Sequence, residues 1–129
     1  MKRDFWVLIL LLGWLLSSCT YRDDTDVSPE PIDNGGQQIS FSTSVQPLFT
    51  SNCAVTNCHV SGGESPNLEV GVAYNELFSN SLINVSDPES SEILIRMRSL
   101  TDPMPTSGKL SNAQINIVAT WISQGAKDN

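Results

Sequence analysis

The stretch Cys-Ala-Val-Thr-Asn-Cys-His occupies residues 53–59, and it organises the rest of the chain. His59 is the only histidine of the 129 residues. Cys53 and Cys58 are two of the three cysteines. Thiolate and imidazole are the protein side chains that bind transition metals most readily. We therefore take this stretch as the first candidate for a functional site.

A cysteine pair whose second member is followed by histidine is typical of a covalent attachment site for c-type haem in exported proteins. The two thiols form thioethers with the haem, and the adjacent imidazole binds the iron. The usual motif has two residues between the cysteines, whereas this chain has four. Residues five apart on a regular helix are displaced by about 140°. Cys53 and Cys58 therefore need a bulge at residues 54–57, where Thr and Asn favour a local turn.

Two other uses of the same side chains stay open. Outside the cytoplasm, Cys53 and Cys58 could form a disulfide, and the protein would then be a cofactor-free interaction lipoprotein. A different metal site is the second alternative. A structural zinc site takes four protein ligands, and two cysteines with one histidine leave it one ligand short.

The N-terminal segment has the composition of an export signal. Two basic residues precede an apolar run over residues 5–16, which is followed by Ser, Ser and Cys19. The run is shorter than the roughly 20 residues that a membrane-spanning helix needs. Residues 16–19 resemble the bacterial lipobox, which implies cleavage before Cys19 and lipid on that residue. We predict a lipoprotein signal peptide over residues 1–18; a plain signal peptide or an uncleaved anchor is the alternative.

The segment after the signal is polar and acidic. Residues 19–39 are predicted to be a flexible tether, because they contain almost nothing apolar to bury. From Cys19 onward there are five basic and thirteen acidic side chains, a net charge of about −8. This charge disfavours nucleic-acid binding and favours a partner with a basic docking face. The lipobox resemblance implies the envelope of a Gram-negative bacterium. Thr20 after the cysteine favours the outer membrane by analogy with lipoprotein sorting, and the acidic cluster that follows resembles surface-export signals. The domain is therefore expected to face the periplasm or the cell surface.

Residues 40–129 are enough for one domain, and their apolar residues follow helical spacing without any strand pattern. The first helix is predicted over residues 44–52, with Ser44 as its cap, and it leads straight into Cys53. The second helix is predicted over residues 72–78.

The third and fourth helices have explicit start signals. Asp87 is expected to cap the third helix, and Pro88 to take its first helical position. Its apolar positions are Ile93, Leu94, Met97 and Leu100. The fourth helix begins with Ser111 and Gln114 at the spacing of a capping box, and Gly125 follows it as a C-terminal cap. Its inner face is predicted to consist of Ile115, Val118, Trp121 and Ile122.

The connection between the last two helices places a methionine between two prolines. Pro103 and Pro105 flank Met104, so no helix runs through it. A stiffened loop suits a fixed ligand, because little conformational entropy remains to be lost. Met97 lies in a helical stripe and is predicted to pack in the core.

The order of these features resembles the class I c-type cytochromes over about residues 41–126. The features that carry the likeness are the first helix entering the Cys…Cys-His site, Pro66-Asn67-Leu68, Met104-Pro105 and Trp121-Ile122. The resemblance implies an all-α cytochrome c-like domain wrapped around one covalent haem. It also implies that the N- and C-terminal helices pack together, with Leu48 or Phe49 against residues 117–121.

The resemblance also implies the roles of the site residues. Those expected to contact the cofactor are Cys53, Cys58, His59, Pro66, Leu68 and Met104. His59 would be the proximal iron ligand and Met104 the distal one. The Pro66 carbonyl would accept a hydrogen bond from the other ring nitrogen of His59, which fixes the tautomer and the ring orientation.

The function that the resemblance implies is one-electron transfer between redox proteins by a membrane-anchored carrier of one haem c. An open sixth position on the iron would instead indicate a haem sensor or a peroxidase. No Ser-His-Asp set or phosphate-binding loop accompanies the motif, so no catalytic residue is predicted. Glu64, Glu69 and Glu76 are interpreted as solvated charges.

Overall fold

Four α-helices, joined by long irregular connections, make up residues 36–129, the part of the chain that the computed structural model describes. The helices are α1 (Gln46–Asn52), α2 (Ala73–Ser79), α3 (Glu92–Arg98) and α4 (Asn112–Ser123). No strand occurs in this range, so the predicted all-α class is confirmed. The predicted signal peptide, Cys19 and most of the tether lie outside the described residues. Within the described range, no helix is long and apolar enough to cross a membrane.

Helical structure at the start of the domain begins earlier than predicted, at residue 41, although α1 itself begins at Gln46. A π-helical turn, Phe41–Val45, runs directly into α1, and its N-cap is Ser40, whose hydroxyl accepts the Thr43 N–H. Ser44, the predicted cap, lies inside this turn. Serines alternate along residues 40–44, so local sequence offers several caps. The burial of Phe41 and Val45 on one face decides between them.

The third helix also starts differently. Asp87 makes no side-chain capping bond, and the residues after it form a separate 3₁₀ turn, Pro88–Ser90. Helix α3 begins only at Glu92, after a buried Ser91. The Ser91 hydroxyl accepts the Asn84 N–H at 3.0 Å, so it holds the preceding loop against the helix instead of capping the helix.

Helix α3 ends before Leu100, whose predicted place in the apolar stripe is wrong. Ile93, Leu94 and Met97 are buried, whereas Leu100 is 88% exposed. The chain leaves helical geometry at Ser99. The Met104 N–H then donates to the Arg96 carbonyl at 3.1 Å, so the end of α3 is tied to the methionine loop.

Helix α4 has the predicted start, inner face and end. Ser111 and Gln114 form both bonds of the capping box, and all four predicted inner residues are buried. Gly125 has a φ of +97°, a left-handed conformation that glycine adopts without strain. The Ala126 N–H donates to the Trp121 carbonyl at 2.9 Å, which completes a Schellman-type end.

An aromatic cluster joins the two ends of the domain. The Phe41 ring lies 5.1 Å from the Trp121 ring and 6.2 Å from the Phe49 ring. The Tyr74 ring is 6.3 Å from Trp121, and the Tyr74 hydroxyl donates to the Ala126 carbonyl at 3.1 Å. The N- and C-terminal helical segments therefore pack together, and Phe41, which precedes the expected Leu48 and Phe49, brings its ring closer to Trp121 than Tyr74 does.

We expect Ser111→Ala to lower the free energy of unfolding by about 1 kcal/mol, because the Gln114 N–H loses its partner. Urea unfolding measures this change. Ser107→Ala, in the loop before α4, is the control and should change the stability by less than about 0.5 kcal/mol. Equal effects of the two substitutions would contradict the capping role.

Candidate cofactor-binding site

A cleft of about 240 Å³ lies between the Cys-His stretch, the loop after it, helix α3 and the methionine loop. Its lining residues are Cys53, His59, Ser65, Pro66, Leu68, Leu82, Glu92, Ile93, Arg96, Met97 and Met104. All the residues predicted to contact a cofactor are among them except Cys58. Side chains that are up to 51 positions apart in sequence, from Cys53 to Met104, are thus brought together.

The spacing between the cysteines is accommodated by the predicted bulge. Cys53 ends α1, and its N–H still donates to the Phe49 carbonyl at 2.8 Å. Residues 54–57 then loop out, with Asn57 at a φ of +64°, a left-handed conformation that asparagine tolerates better than most residues. The His59 N–H donates to the Cys53 carbonyl at 3.1 Å. This bond closes the loop and returns the histidine to the end of α1.

The two cysteines differ in their surroundings. Both are free thiols, and Cys53 is buried whereas Cys58 is half-buried. Burial, and to a lesser extent the nearby Cys58 thiol, together raise the pKa of Cys53 to about 11. Cys53 is therefore a neutral thiol at pH 7. Because the thiolate is the reactive form in disulfide exchange, Cys53 is a slow partner for oxidation.

The ring of His59 is held in one orientation by a backbone acceptor. Its Nδ1 lies 3.0 Å from the Pro66 carbonyl oxygen, and a carbonyl can only accept a hydrogen bond. Nδ1 therefore carries the proton, and Nε2 of the neutral ring keeps a free lone pair. The Leu68 N–H also donates to the His59 carbonyl at 2.9 Å. The Pro66 contact implied by the resemblance is thus present.

The loop after His59 requires glycine at position 63. The Cys58 carbonyl accepts the N–H groups of Val60 and Glu64, both at 2.9 Å. A Cβ added to Gly63 would lie 2.1 Å from the same carbonyl oxygen. Any side chain there would push the Cys58 peptide away from the loop.

Two of the three glutamates interpreted as solvated charges are structural, so that interpretation is wrong for them. Glu69 Oε2 accepts the Ser61 N–H at 3.0 Å and Asn67 Nδ2 at 3.1 Å. Glu76 Oε2 accepts the Asn67 N–H at 3.4 Å. Both carboxylates thus serve backbone donors of the loop, which has no helix or strand to satisfy them. The Glu69 N–H donates to Asn67 Oδ1 at 2.9 Å, which is a turn closed by an asparagine side chain. Asparagine favours such turns, so Asn67 was the residue in the sequence that could have indicated it.

Both candidate methionines line the cleft. Met97 is buried with 2% exposure and belongs to the core, as predicted. Met104 is half-buried, and only its backbone is tied down, by the bond to Arg96. Leu82 and Ile93 are further apolar residues that line the cleft.

Among the described residues that line the cleft, Arg96 is the one cation. Its guanidinium pairs with Glu92 at 3.5 Å and also with Asp102. Because the Arg96 side chain is 43% exposed, these pairs stabilise the fold little. The guanidinium can therefore exchange a partner for a carboxylate on a molecule in the cleft without much loss of stability.

Other metal sites lack support in residues 36–129, where no group of three or more His, Cys, Asp and Glu side chains is placed to hold a metal ion. This part of the chain does not assemble the four-ligand set of a structural zinc site.

Comparison with known proteins gives no relative. No protein-family model matches the sequence, and neither curated proteins nor solved structures gave a significant match. The resemblance to class I c-type cytochromes therefore rests on the residues of this chain and their order.

We expect Gly63→Ala to destabilise the fold by about 1–3 kcal/mol, the usual cost of overpacking, because the new methyl group meets the Cys58 carbonyl. Thermal unfolding measures the loss. The control is Glu64→Ala, at an exposed neighbouring position, which should leave the stability within about 0.5 kcal/mol. Wild-type stability in Gly63→Ala would show that the loop can relax around a side chain.

Proposed function

We propose that this protein is a one-electron carrier that holds one covalent c-type haem in the cleft beside Cys53. The supporting observation is that Met104 lines the same cleft as Cys53 and His59, although it lies 45 positions after His59 in sequence. Thiol, imidazole and thioether are the groups that attach and ligate haem in c-type cytochromes. The chain would act as an electron carrier, with no catalytic residue of its own.

The residues present fit such a group chemically. His59 offers a free Nε2 lone pair, since Nδ1 is committed to Pro66. Leu68, Leu82 and Ile93 provide apolar contacts for a large ring. Arg96 provides a cation for the carboxylates of the haem. The cleft also includes Met104, whose thioether is a known axial ligand.

Cys58 is the residue that fits least directly, because it does not line the cleft. It is half-buried and near enough to Cys53 to raise the pKa of that thiol. The loop over residues 54–57 leads into Cys58 and is held by backbone hydrogen bonds, so attachment through both thiols requires this loop to move Cys58 to the cleft.

The protein would contribute to electron transfer by holding the iron-ligating side chains in position before haem binds. Haem in this site would supply a single iron that cycles between ferric and ferrous states. His59 enters as one tautomer, so its ring needs no reorientation. The chain has no second histidine, so its own distal ligand would be a thioether, which raises the reduction potential relative to a second imidazole.

Met104 is the better candidate for that thioether. Met97 is packed in the core at 2% exposure, and moving it toward iron would leave a cavity. Met104 sits in a loop whose backbone is anchored at Arg96, so its side chain can turn toward the cleft without disturbing a helix.

The remaining parts of the proposal concern location and partners. Lipid on Cys19 would anchor the protein to the membrane, and residues 19–39 would act as its tether. Residues 36–129 contain eight acidic and four basic side chains, so the domain itself is acidic. A redox partner with a basic docking face would be steered to it at low ionic strength.

The full chain, made in a host that matures c-type cytochromes, should keep its haem through denaturing electrophoresis. Replacing both Cys53 and Cys58 with Ala should abolish this covalent haem, because the thioethers cannot form. Cys19→Ala is the matched control: it removes a cysteine and the lipid, but it should leave the haem in place. An intact Cys53–Cys58 disulfide without a haem adduct in the mass spectrum would refute the proposal in favour of a cofactor-free protein.

Met104→Ala should abolish the iron–thioether charge-transfer band, lower the reduction potential and allow carbon monoxide to bind the ferrous iron. Met97→Ala should keep the band and destabilise the fold by about 2–5 kcal/mol, because it removes a buried side chain. Survival of the band in Met104→Ala, with its loss in a folded Met97→Ala protein, would assign the ligand to Met97. If the wild type already binds carbon monoxide, the sixth position is open, as in a sensor or peroxidase.

A further inference from the structure

The peptide group between Pro66 and Asn67 is contacted on both sides. Its carbonyl oxygen accepts the Nδ1 proton of His59 at 3.0 Å. Its N–H lies 3.4 Å from Glu76 Oε2. Because a peptide group is planar and rigid, this one amide connects a carboxylate on helix α2 to the imidazole at the cleft.

We propose that Glu76 is a positioning residue for His59 and acts through the Pro66–Asn67 peptide group. It would hold that group in place and polarise it, so that the carbonyl becomes a stronger acceptor for Nδ1. The effect of Glu76 on a bound iron rests on the proposed function, in which Nε2 of His59 is the ligand. The effect of Glu76 on the orientation and hydrogen bonding of the His59 ring does not depend on that function.

The polarisation follows from the charges. A negative carboxylate beside the N–H draws the amide dipole into line and increases the negative charge on the carbonyl oxygen. Hydrogen bonds linked in a chain strengthen one another by about 10–30% each. The 3.4 Å separation exceeds the usual range of about 2.7–3.2 Å, so Glu76 acts mainly as a charge beside a dipole. The ring then becomes more electron-rich at Nε2.

The carboxylate is itself held in place. Asn80, one turn further along the chain, donates from Nδ2 to Glu76 Oε2 at 3.1 Å and to the Glu76 carbonyl at 2.8 Å. Glu76 is half-buried. The side chain of Asn67 is occupied separately by Glu69, so it does not compete for Glu76. The His59 loop is thereby attached to α2 at one defined peptide.

The chain supplies its own probe and control. His59 is the only histidine, so histidine labelled with ¹⁵N in the ring reports on this one side chain in the full-length protein. Glu76→Gln removes the charge at the peptide group. Glu64→Gln removes the same charge from the loop after His59, at an exposed residue that has no side-chain hydrogen bond to any described residue.

In the wild type, the ring signals should show a proton on Nδ1 that exchanges slowly with water. Glu76→Gln should speed this exchange about tenfold, the effect of weakening one charge-assisted bond, and Glu64→Gln should leave it unchanged. Ser111→Ala, which lowers the stability from a distant helix cap, should also leave it unchanged. Equal exchange rates in wild type and Glu76→Gln, or equal acceleration in all three variants, would overturn the proposal.

The haem-loaded protein gives a second readout. Glu76→Gln should shift the reduction equilibrium toward the ferrous form more than Glu64→Gln does, since the control removes the same charge without touching the peptide group. Direct partners of ligating histidines change metal affinity by about 10–100-fold. We expect about tenfold here, which corresponds to about 59 mV for one electron. Identical shifts in the two variants would overturn the effect on iron.

The two readouts separate this proposal from the proposed function. A protein without haem refutes the electron carrier, but the ring signals of His59 still test the action of Glu76. A haem protein in which Glu76→Gln changes neither the ring signals nor the potential keeps its electron-transfer function and refutes the role of Glu76.

Discussion

The site depends on the hydrogen bond from the His59 N–H to the Cys53 carbonyl, at 3.1 Å. Without it, the four residues between the cysteines would carry the histidine away from the end of α1. With it, the histidine returns to a half-buried position at the end of α1, and the following loop can bring the Pro66 carbonyl to Nδ1. The loop after His59 then folds back on the Cys58 carbonyl, which accepts two of its N–H groups. Gly63 lies so close to this carbonyl that a Cβ would not fit.

Stability and function share side chains in this domain. Helices α1, α2 and α3 have seven residues each, and helices this short are marginal without tertiary packing. Cys53, Leu68, Ile93 and Met97 belong to the hydrophobic core and also line the cleft. A molecule that fills the cleft would therefore add contacts directly to the core and stabilise the folded state by mass action.

Features with local causes were predictable. Helix α4 follows from a capping box, an apolar stripe and a terminal glycine, all of which act within a few residues. The start of the π-helical turn before α1 was not predictable in the same way, because capping by Ser40 and not by Ser44 depends on burying Phe41 against Trp121. The predicted burial of Leu100 was wrong for a similar reason. The Arg96 carbonyl accepts a hydrogen bond from the distant Met104 N–H, and helix α3 ends before it reaches Leu100.

The sequence by itself determined which side chains could carry chemistry: the cysteine pair, one histidine and a methionine between prolines. It also required a bulge, because residues five apart do not share a helical face. Only the tertiary structure brought Met104 and His59 to one cleft, left Cys58 off its lining and assigned Glu69 and Glu76 to the loop backbone. The physical reason is that spacing governs contacts within a turn, whereas unsatisfied backbone donors take partners from whichever distant residue folding brings near.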